Sequence, residues 1–433
     1  MGKLEKYSSY KDSGVEWIGE IPEHWEIKKL KFIIKNKLQY GANESGDDYQ
    51  ENLPRYIRIT DFSNSGKLSE KNKLSLSWEK ANKYLLKDGD ILFARSGATV
   101  GKTYQFKTYM SSEKFYAFAG YLIKAQANEI IVSSDYLYTY TNSNLFEKWK
   151  ENIFNKSTIE NIGADKYSEL FVVLPLREEQ TIIMKFLNEK TAQIDEVISQ
   201  KQKLIELLKE RKQIVINDAV TKGLDKNVEF VDSGVEWIGK IPKHWKLLAN
   251  KYVFKLKKNL VGKKSSEYDL LSLTLEGIIK RDLDKGGKFP AEFDTYQEVK
   301  KGDFVFCLFD VEETPRTVGL SKYDGMITGA YTVFSVKNIN KEYLYYFYLN
   351  LDSKKRLKPL YTGLRNTISK DNFFSFKSFI PPKDGQLQIV EHIENQTTKI
   401  NKAIELQQNY ISKLKEYKAS LIDSVVTGKV RVV

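Results

Sequence analysis

A chain of 433 residues with 41% hydrophobic residues can bury two or three separate cores, which excludes a disordered polypeptide. Its 69 Lys and Arg against 57 Asp and Glu leave a net charge of +12, which favours a polyanionic partner such as nucleic acid over an acidic small molecule. The single cysteine, Cys307 in the apolar run Phe304–Phe309, excludes an internal disulfide and a thiolate cluster; with no signal-peptide core at Met1–Tyr7 and no apolar stretch near ~18 residues, a soluble, cytoplasmic protein is expected.

The first element is a motif, DSGVEWIGEIPEHWEI at Asp12–Ile27, and it returns as DSGVEWIGKIPKHWKL at Asp232–Leu247, identical at 12 of 16 positions. Between the two, a strand-rich block holds Tyr56–Thr60 and Asp90–Ala94 as strands with glycine-rich turns. A second repeated segment follows, Leu174–Leu187 matching Ile380–Ile393, and each copy opens a long stretch of helical periodicity. After the second Trp motif the strand-rich pattern recurs at Leu270–Thr274 and Asp303–Phe306. The order is motif, variable block, helix, twice, and the blocks differ in length and in most of their sequence.

A shift of 206 residues aligns the helices. Leu187, Ile194, Lys201, Leu208 and Val215 fall every seventh place, matched by Ile393, Ile400, Gln407, Leu414 and Leu421. Ile198 and Ile205, with Ile404 and Ile411, widen the seam, and Lys201 is answered by Gln407 at a polar step that sets register. Glu178 and Glu179 suit the positive start of the first helix; Lys222 and Gly223 suit its end. The helix cations Lys201, Lys209, Arg211 and Lys212 read as a solvated face, with partner subunits as the alternative surface for some of them. A helix of roughly 40 residues is ~60 Å long, a rod able to hold two domains apart.

The short link from Gly223 to Asp232 places the second Trp motif beside the end of the first helix, and the repeat places Asp12–Ile27 beside the end of the second. The expected fold is α+β: two globular domains joined by two long antiparallel coiled-coil helices, pseudo-two-fold and nearly circular. The domains divide as 1–173, 174–224 (first helical spacer), 225–379 and 380–433 (second helical spacer).

Chemistry is scarce. Ser96–Thr103 (SGATVGKT) is one glycine short of a phosphate-binding loop, and it precedes a strand rather than the helix whose amino terminus such a loop must open. His24 and His244 have no second His or Cys at ligand spacing, so a metal is not expected and both read as turn residues. No methyltransferase signature holding a flipped adenine is present: Ile380–Lys383 lacks the polar and aromatic residues required. Trp17, Trp25, Trp237 and Trp245 recur with the repeat, as packing or partner-docking residues should and base readers of two different half-sites should not.

Together the Trp motifs, YIRITDF at Tyr56–Phe62, GDILFARSGATVGK at Gly89–Lys102 and LPLREEQ at Leu174–Gln180 resemble the specificity subunits of type I restriction–modification enzymes, across essentially the whole chain. The second copy departs at Ile380–Gln386, where Gly-Gln replaces Glu-Gln, and at Gly302–Gly319, where the glycine-containing loop is longer. The resemblance implies a non-catalytic subunit whose two target-recognition domains each read half of a bipartite double-stranded DNA site. It implies two methyltransferase subunits and two restriction/translocase subunits as partners, and no membrane association. No cofactor is expected on this chain; S-adenosylmethionine, ATP and Mg belong to those partners.

Base contacts are expected from polar side chains on variable loops: Arg58, Thr60, Asn64, Arg95, Ser96, Thr99 and Lys102 in the first block, and Thr274, Arg281, Arg316, Lys322, Arg365 and Asn366 in the second. Arg95 and Arg365, beside glycine-containing turns, are the foremost candidates for bidentate contact with guanine. Two rival readings stand beside this one. A free-standing nuclease or NTPase would use the Ser96–Thr103 loop and be active as an isolated chain. A protein-binding coiled-coil adaptor would show no DNA affinity.

Overall fold

The computed structural model describes residues 5–62, 68–97, 99–110, 112–154, 161–234, 239–282, 292–363 and 365–432. It is mixed helix and sheet and divides into two compact units: Met1–Gln200 with Asn409–Val433, and Lys201–Gln408. The division falls inside both long helices, Arg177–Lys222 and Lys383–Val426, so each unit contains one end of each.

In unit 1 an antiparallel sheet runs Gln39–Tyr40, Leu122–Ala125, Ile91–Ala94, Thr103–Gln105. Its central strand is apolar throughout because both faces are covered: Ile91 and Phe93 point into one core, Leu92 and Ala94 into another. A second sheet, Tyr116–Phe118, Arg55–Ile57, Leu74–Ser75, Asp47–Asp48, contains a parallel pair in its first two strands. In it Arg55 is fully buried, its guanidinium 3.0 Å from Glu70 and 3.3 Å from Glu113, with Lys73 2.6 Å from Glu113.

Unit 2 repeats the first of these sheets strand for strand: Phe254–Lys257, Thr332–Val336, Phe304–Phe306, Val318–Leu320. Again the central strand serves two cores, Phe304 and Phe306 in one and Val305 in the other. Each unit also pairs the strand after its Trp motif with the strand that leads into a long helix, Glu26–Lys29 with Phe171–Leu174 and Lys246–Ala249 with Lys377–Ile380.

Residues of the seven-residue rows are buried or half-buried within each unit. Leu187, Ile194, Ile411 and Leu421 are buried in unit 1, with Ile198 and Leu414 half-buried. In unit 2, Ile205, Ile393 and Ile400 are buried, and Leu208 and Ile404 half-buried. Lys201 Nζ donates to Gln407 Oε1 at 3.0 Å and Lys212 Nζ to Asn401 Oδ1 at 2.9 Å, so as one number rises its partner falls and the segments of unit 2 are antiparallel. The position equivalent to Lys212 under the 206 shift is Lys418, and in unit 1 it pairs with Asp195, the equivalent of Asn401, at 2.6 Å. The Lys201–Gln407 contact is partly buried, whereas Lys212 is half-buried with its ammonium in an exposed contact to Asn401, as a lysine whose stem lies along a helix and whose charge stays in solvent.

The Trp motifs sit where the helices end. Gly428, at φ +73°, follows the second helix, and a Cβ there would meet Pro22 at 2.4 Å and Trp25 at 3.0 Å. Gly223, also at φ +73°, follows the first, with Trp245 3.2 Å from such a Cβ. Both glycines combine a left-handed helix end with close approach of an indole. Trp25 is fully buried and Trp245 nearly so; Trp17 is partly buried against the unit 1 core, and Trp237 lies outside the described residues.

The helix starts carry a second shared device. Gln180 Nε2 donates to the Ile131 and Pro175 carbonyls while its Oε1 accepts from Ser133 N; Gln386 donates to Pro381 O and accepts from Asn340 N. In both units this buried glutamine ties a helix start to the variable block. Among the described residues no helix is long and apolar enough to cross a membrane.

Candidate nucleic-acid interface

The variable loops at the strand ends hold the candidate DNA-facing side chains. In unit 1 the strands Ile91–Ala94 and Thr103–Gln105 are joined through residues 95–102, where Gly97 and Gly101 have φ +82° and +80° and Ala98 lies outside the described residues. The segment leads into a strand, so Ser96–Thr103 does not open a helix and forms no helix-capped phosphate cradle. Arg95 leaves the end of the strand with its guanidinium 5.2 Å from the centre of the Tyr40 ring, half-buried, and its Nε is buried without a hydrogen bond. Ser96 is half-buried and bridged to Asn161, while Thr99 is exposed.

Three other candidates gather at the Ile59–Asp61 turn. Arg58 reaches Asp61 at 3.3 Å and donates to Asn72 O at 2.8 Å; Lys102 Nζ donates to Phe62 O at 3.1 Å; Thr60 is exposed on the turn itself. Asn64 lies outside the described residues.

In unit 2 the hairpin Leu271–Thr274/Gly277–Lys280 closes with Thr274 Oγ1 donating to Gly277 O. Arg316 Nη2 donates to Leu275 O at the tip of that hairpin, its Nη1 lies 3.7 Å from the buried Asp352 carboxylate, and its Nε is buried without a partner. Arg365 and Asn366 form a second group. The Arg365 side chain is 71% exposed, grips Asp310 through Nε and Nη2, and lies over the Phe309 ring; Asn366, at φ +44°, donates to Glu313 at 3.1 Å. The Arg365 hydrogen bonds hold the Asp310 carboxyl below its ordinary range. Arg281 and Lys322 are exposed. The structure thus brings Thr274 together with Arg316, and Arg365 with Asn366, on two loops of unit 2.

Both foremost arginines already hold partners within the chain. Arg365, itself exposed, can exchange the half-buried Asp310 carboxylate for a guanine edge or a phosphate. Arg95 is held against an aromatic face and would present only the end of its guanidinium. The feature that sequence reasoning passed over is the carboxylate of Glu179, assigned above to the helix dipole alone. It is buried and accepts hydrogen bonds from Tyr7 and from Trp25 Nε1, with His24 Nε2 at 3.0 Å. Its signal was present in the repeat, since Glu179 is the one member of the Glu-Gln pair that the second copy lacks.

Among the described residues no group of three or more His, Cys, Asp and Glu side chains is placed to hold a metal ion. The family model for the type I restriction modification DNA specificity domain matches residues 22–207. Along nearly its full length the chain is similar to two proteins of Methanocaldococcus jannaschii. It is 26% identical to the protein named as the type I restriction enzyme MjaX specificity subunit, covering 96% of each chain. It is 23% identical to the type I restriction enzyme MjaVIII specificity subunit, covering 95% of this chain and 94% of the relative. The fold is shared with a chain solved in work on complex assembly and conformational transition of the type I R-M system (TM-score 0.68, 12% identity, 94% and 98% covered). It is also shared with the HsdS subunit from Thermoanaerobacter tengcongensis (TM-score 0.53, 14% identity, 95% and 98% covered).

Proposed function

We propose that the chain is a specificity subunit of a type I restriction–modification system and that each of its two units reads one half of a bipartite double-stranded DNA target. As a specificity subunit it is the DNA-recognising, non-catalytic member of its complex. The observation that carries the two-headed reading is the repetition of one four-stranded sheet, in the same strand order, in units whose connecting loops differ in sequence. A common scaffold with divergent loops is what two independent readers of two different half-sites require.

Residues 1–173 and 225–379 are the two recognition domains, and the spacers 174–224 and 380–433 pair as antiparallel helices about a pseudo-two-fold axis, setting the gap between half-sites in a nearly circular molecule. The loops bearing Arg58, Thr60, Arg95, Ser96, Thr99 and Lys102, and those bearing Thr274, Arg281, Arg316, Lys322, Arg365 and Asn366, face the DNA. Two methyltransferase and two restriction/translocase subunits assemble on the chain, bring S-adenosylmethionine, ATP and Mg, and act in the cytoplasm.

Co-expression with the neighbouring methyltransferase subunit in a methylation-free host, followed by mapping of modified adenines by single-molecule sequencing, tests the reading. A split motif with a fixed gap is expected, and exchanging residues 248–373 for those of a relative should alter one half only. A continuous motif, or alteration of both halves, would overturn it.

A further inference from the structure

The two junctions between Trp motif and helix start are built on the same residues and filled differently. In unit 1 the Glu179 side chain, 7% exposed, takes hydrogen bonds from the Tyr7 hydroxyl and from Trp25 Nε1 at 3.1 Å, and lies 3.0 Å from His24 Nε2. The Tyr7 ring completes the packing, its centre 5.6 Å from both the His24 and the Trp25 rings. In unit 2, His244 and Trp245 stand at the matching places, yet the 206 shift takes Glu179 to Gly385 and the 220 shift takes Tyr7 to Asn227. Carboxylate and phenol are both lost from the same spot. What remains is a cavity of about 240 Å³ whose lining includes Gly223, Pro242, His244, Trp245, Gly385 and Ile389.

Two polar groups at that cavity, His244 and Trp245, are unused. Among the described residues neither the His244 ring nor the Trp245 indole N–H makes a hydrogen bond, and the indole has only an edge-on contact with Tyr343. Lys222 and Asp225 also line the cavity; their charges offset, and Lys222 is already paired with Asp218. The positive start of the helix Lys383–Val426 borders it as well, which favours an anion.

We propose that this cavity is a docking pocket for a carboxylate-bearing side chain accompanied by an aromatic ring, presented by a partner polypeptide. The carboxylate takes from His244 and Trp245 the contacts that Glu179 takes from His24 and Trp25, and the ring fills the place of Tyr7. The same constellation binds that chemistry elsewhere in this chain. The volume points to side chains rather than a free metabolite, since it falls below the ~300–1,000 Å³ of pockets that enclose small molecules. The proposal goes beyond DNA reading and does not rest on it.

The test uses the full-length, isotope-labelled chain and the tryptophan indole resonances. The resonance of Trp245, identified by its loss in Trp245→Phe, should move downfield and saturate with millimolar 3-(4-hydroxyphenyl)propionate and with N-acetyl-Tyr-Glu-amide. It should not respond to 3-(4-hydroxyphenyl)propanamide, which lacks the charge. Gly385→Glu supplies a tethered carboxylate, so it should shift the resonance by itself and abolish the response; a Cβ at 385 comes no closer than 3.4 Å to Pro381, so the helix start tolerates it. His244→Ala, which leaves that helix start untouched, should weaken binding about fivefold, the loss of one hydrogen bond. No saturable movement, equal movement with the amide, or a response unchanged in Gly385→Glu would overturn the pocket. Acceptance of the propionate with refusal of the dipeptide would overturn the polypeptide partner.

Discussion

Replacing Glu179 by alanine separates two physical roles for an acid at a helix start. If the residue served only the helix dipole, its loss would cost ~0.3–1 kcal/mol, and the exposed neighbour Glu178 would cost the same. The structure gives a larger figure. The Trp25 indole N–H is fully buried and would lose its acceptor, at ~1–3 kcal/mol. The partly buried Tyr7 hydroxyl adds about 1 kcal/mol, and His24, 46% exposed and solvent-screened, adds little. The sum is roughly 3 kcal/mol, equivalent to about a hundredfold in an opening equilibrium. Hydrogen exchange read on peptides spanning residues 20–29 measures it, because that segment holds the buried indole. Glu179→Ala should accelerate exchange there by about two orders of magnitude and Glu178→Ala by about threefold. Equal effects from the two substitutions would refute the reasoning.

Three further outcomes follow from the geometry. Burial alone would raise the Glu113 carboxyl, but hydrogen bonds from Lys73, Tyr116 and Ser112 and the charge of Arg55 outweigh it and hold the group at about 2. Its folded value lies below the unfolded one, so its stabilisation, ~3 kcal/mol, is complete above pH ~4.5 and is lost as pH falls towards 2; urea titrations of wild type and Glu113→Gln should converge across that window, and parallel curves would sink the assignment. Gln407→Lys places an ammonium opposite Lys201 and should destabilise by ~1–2 kcal/mol, whereas Gln407→Leu should be near neutral; the reverse order in urea denaturation would remove Lys201–Gln407 from the seam. Arg365→Ala should cost ~1–3 kcal/mol at one half-site in binding assays at fixed salt, and a uniform loss on unrelated DNA would reduce the residue to a phosphate contact.

Much of the architecture was legible because it repeats. The seven-residue rows from Leu187 and Ile393 mark the helices, and the Trp motifs mark what packs against their ends. The apolar runs Ile91–Ala94 and Phe304–Phe306 mark strands, and their lack of polar alternation is explained by cores on both faces. Side-chain partnerships were less legible, because they depend on three-dimensional neighbours with no fixed spacing. Arg95 lies over Tyr40, 55 positions earlier in the chain, and Arg365 holds Asp310, also 55 positions earlier; neither distance is a turn or helix period. The pairing of Lys212 with Asn401, and of its equivalent Lys418 with Asp195, is likewise an exposed partnership between two helices that spacing along one of them does not show.

The equivalent lysines Lys418 and Lys212 meet acceptors of different charge. In unit 1 the cation meets a carboxylate, Asp195; at the equivalent place in unit 2 it meets an amide, Asn401. Coulombic attraction weakens with added electrolyte, while a neutral acceptor is nearly indifferent to it. Ionic strength therefore loosens the Lys418–Asp195 contact of unit 1 and leaves the Lys212–Asn401 contact of unit 2 nearly unchanged, so two equivalent helix contacts yield unequally in concentrated salt.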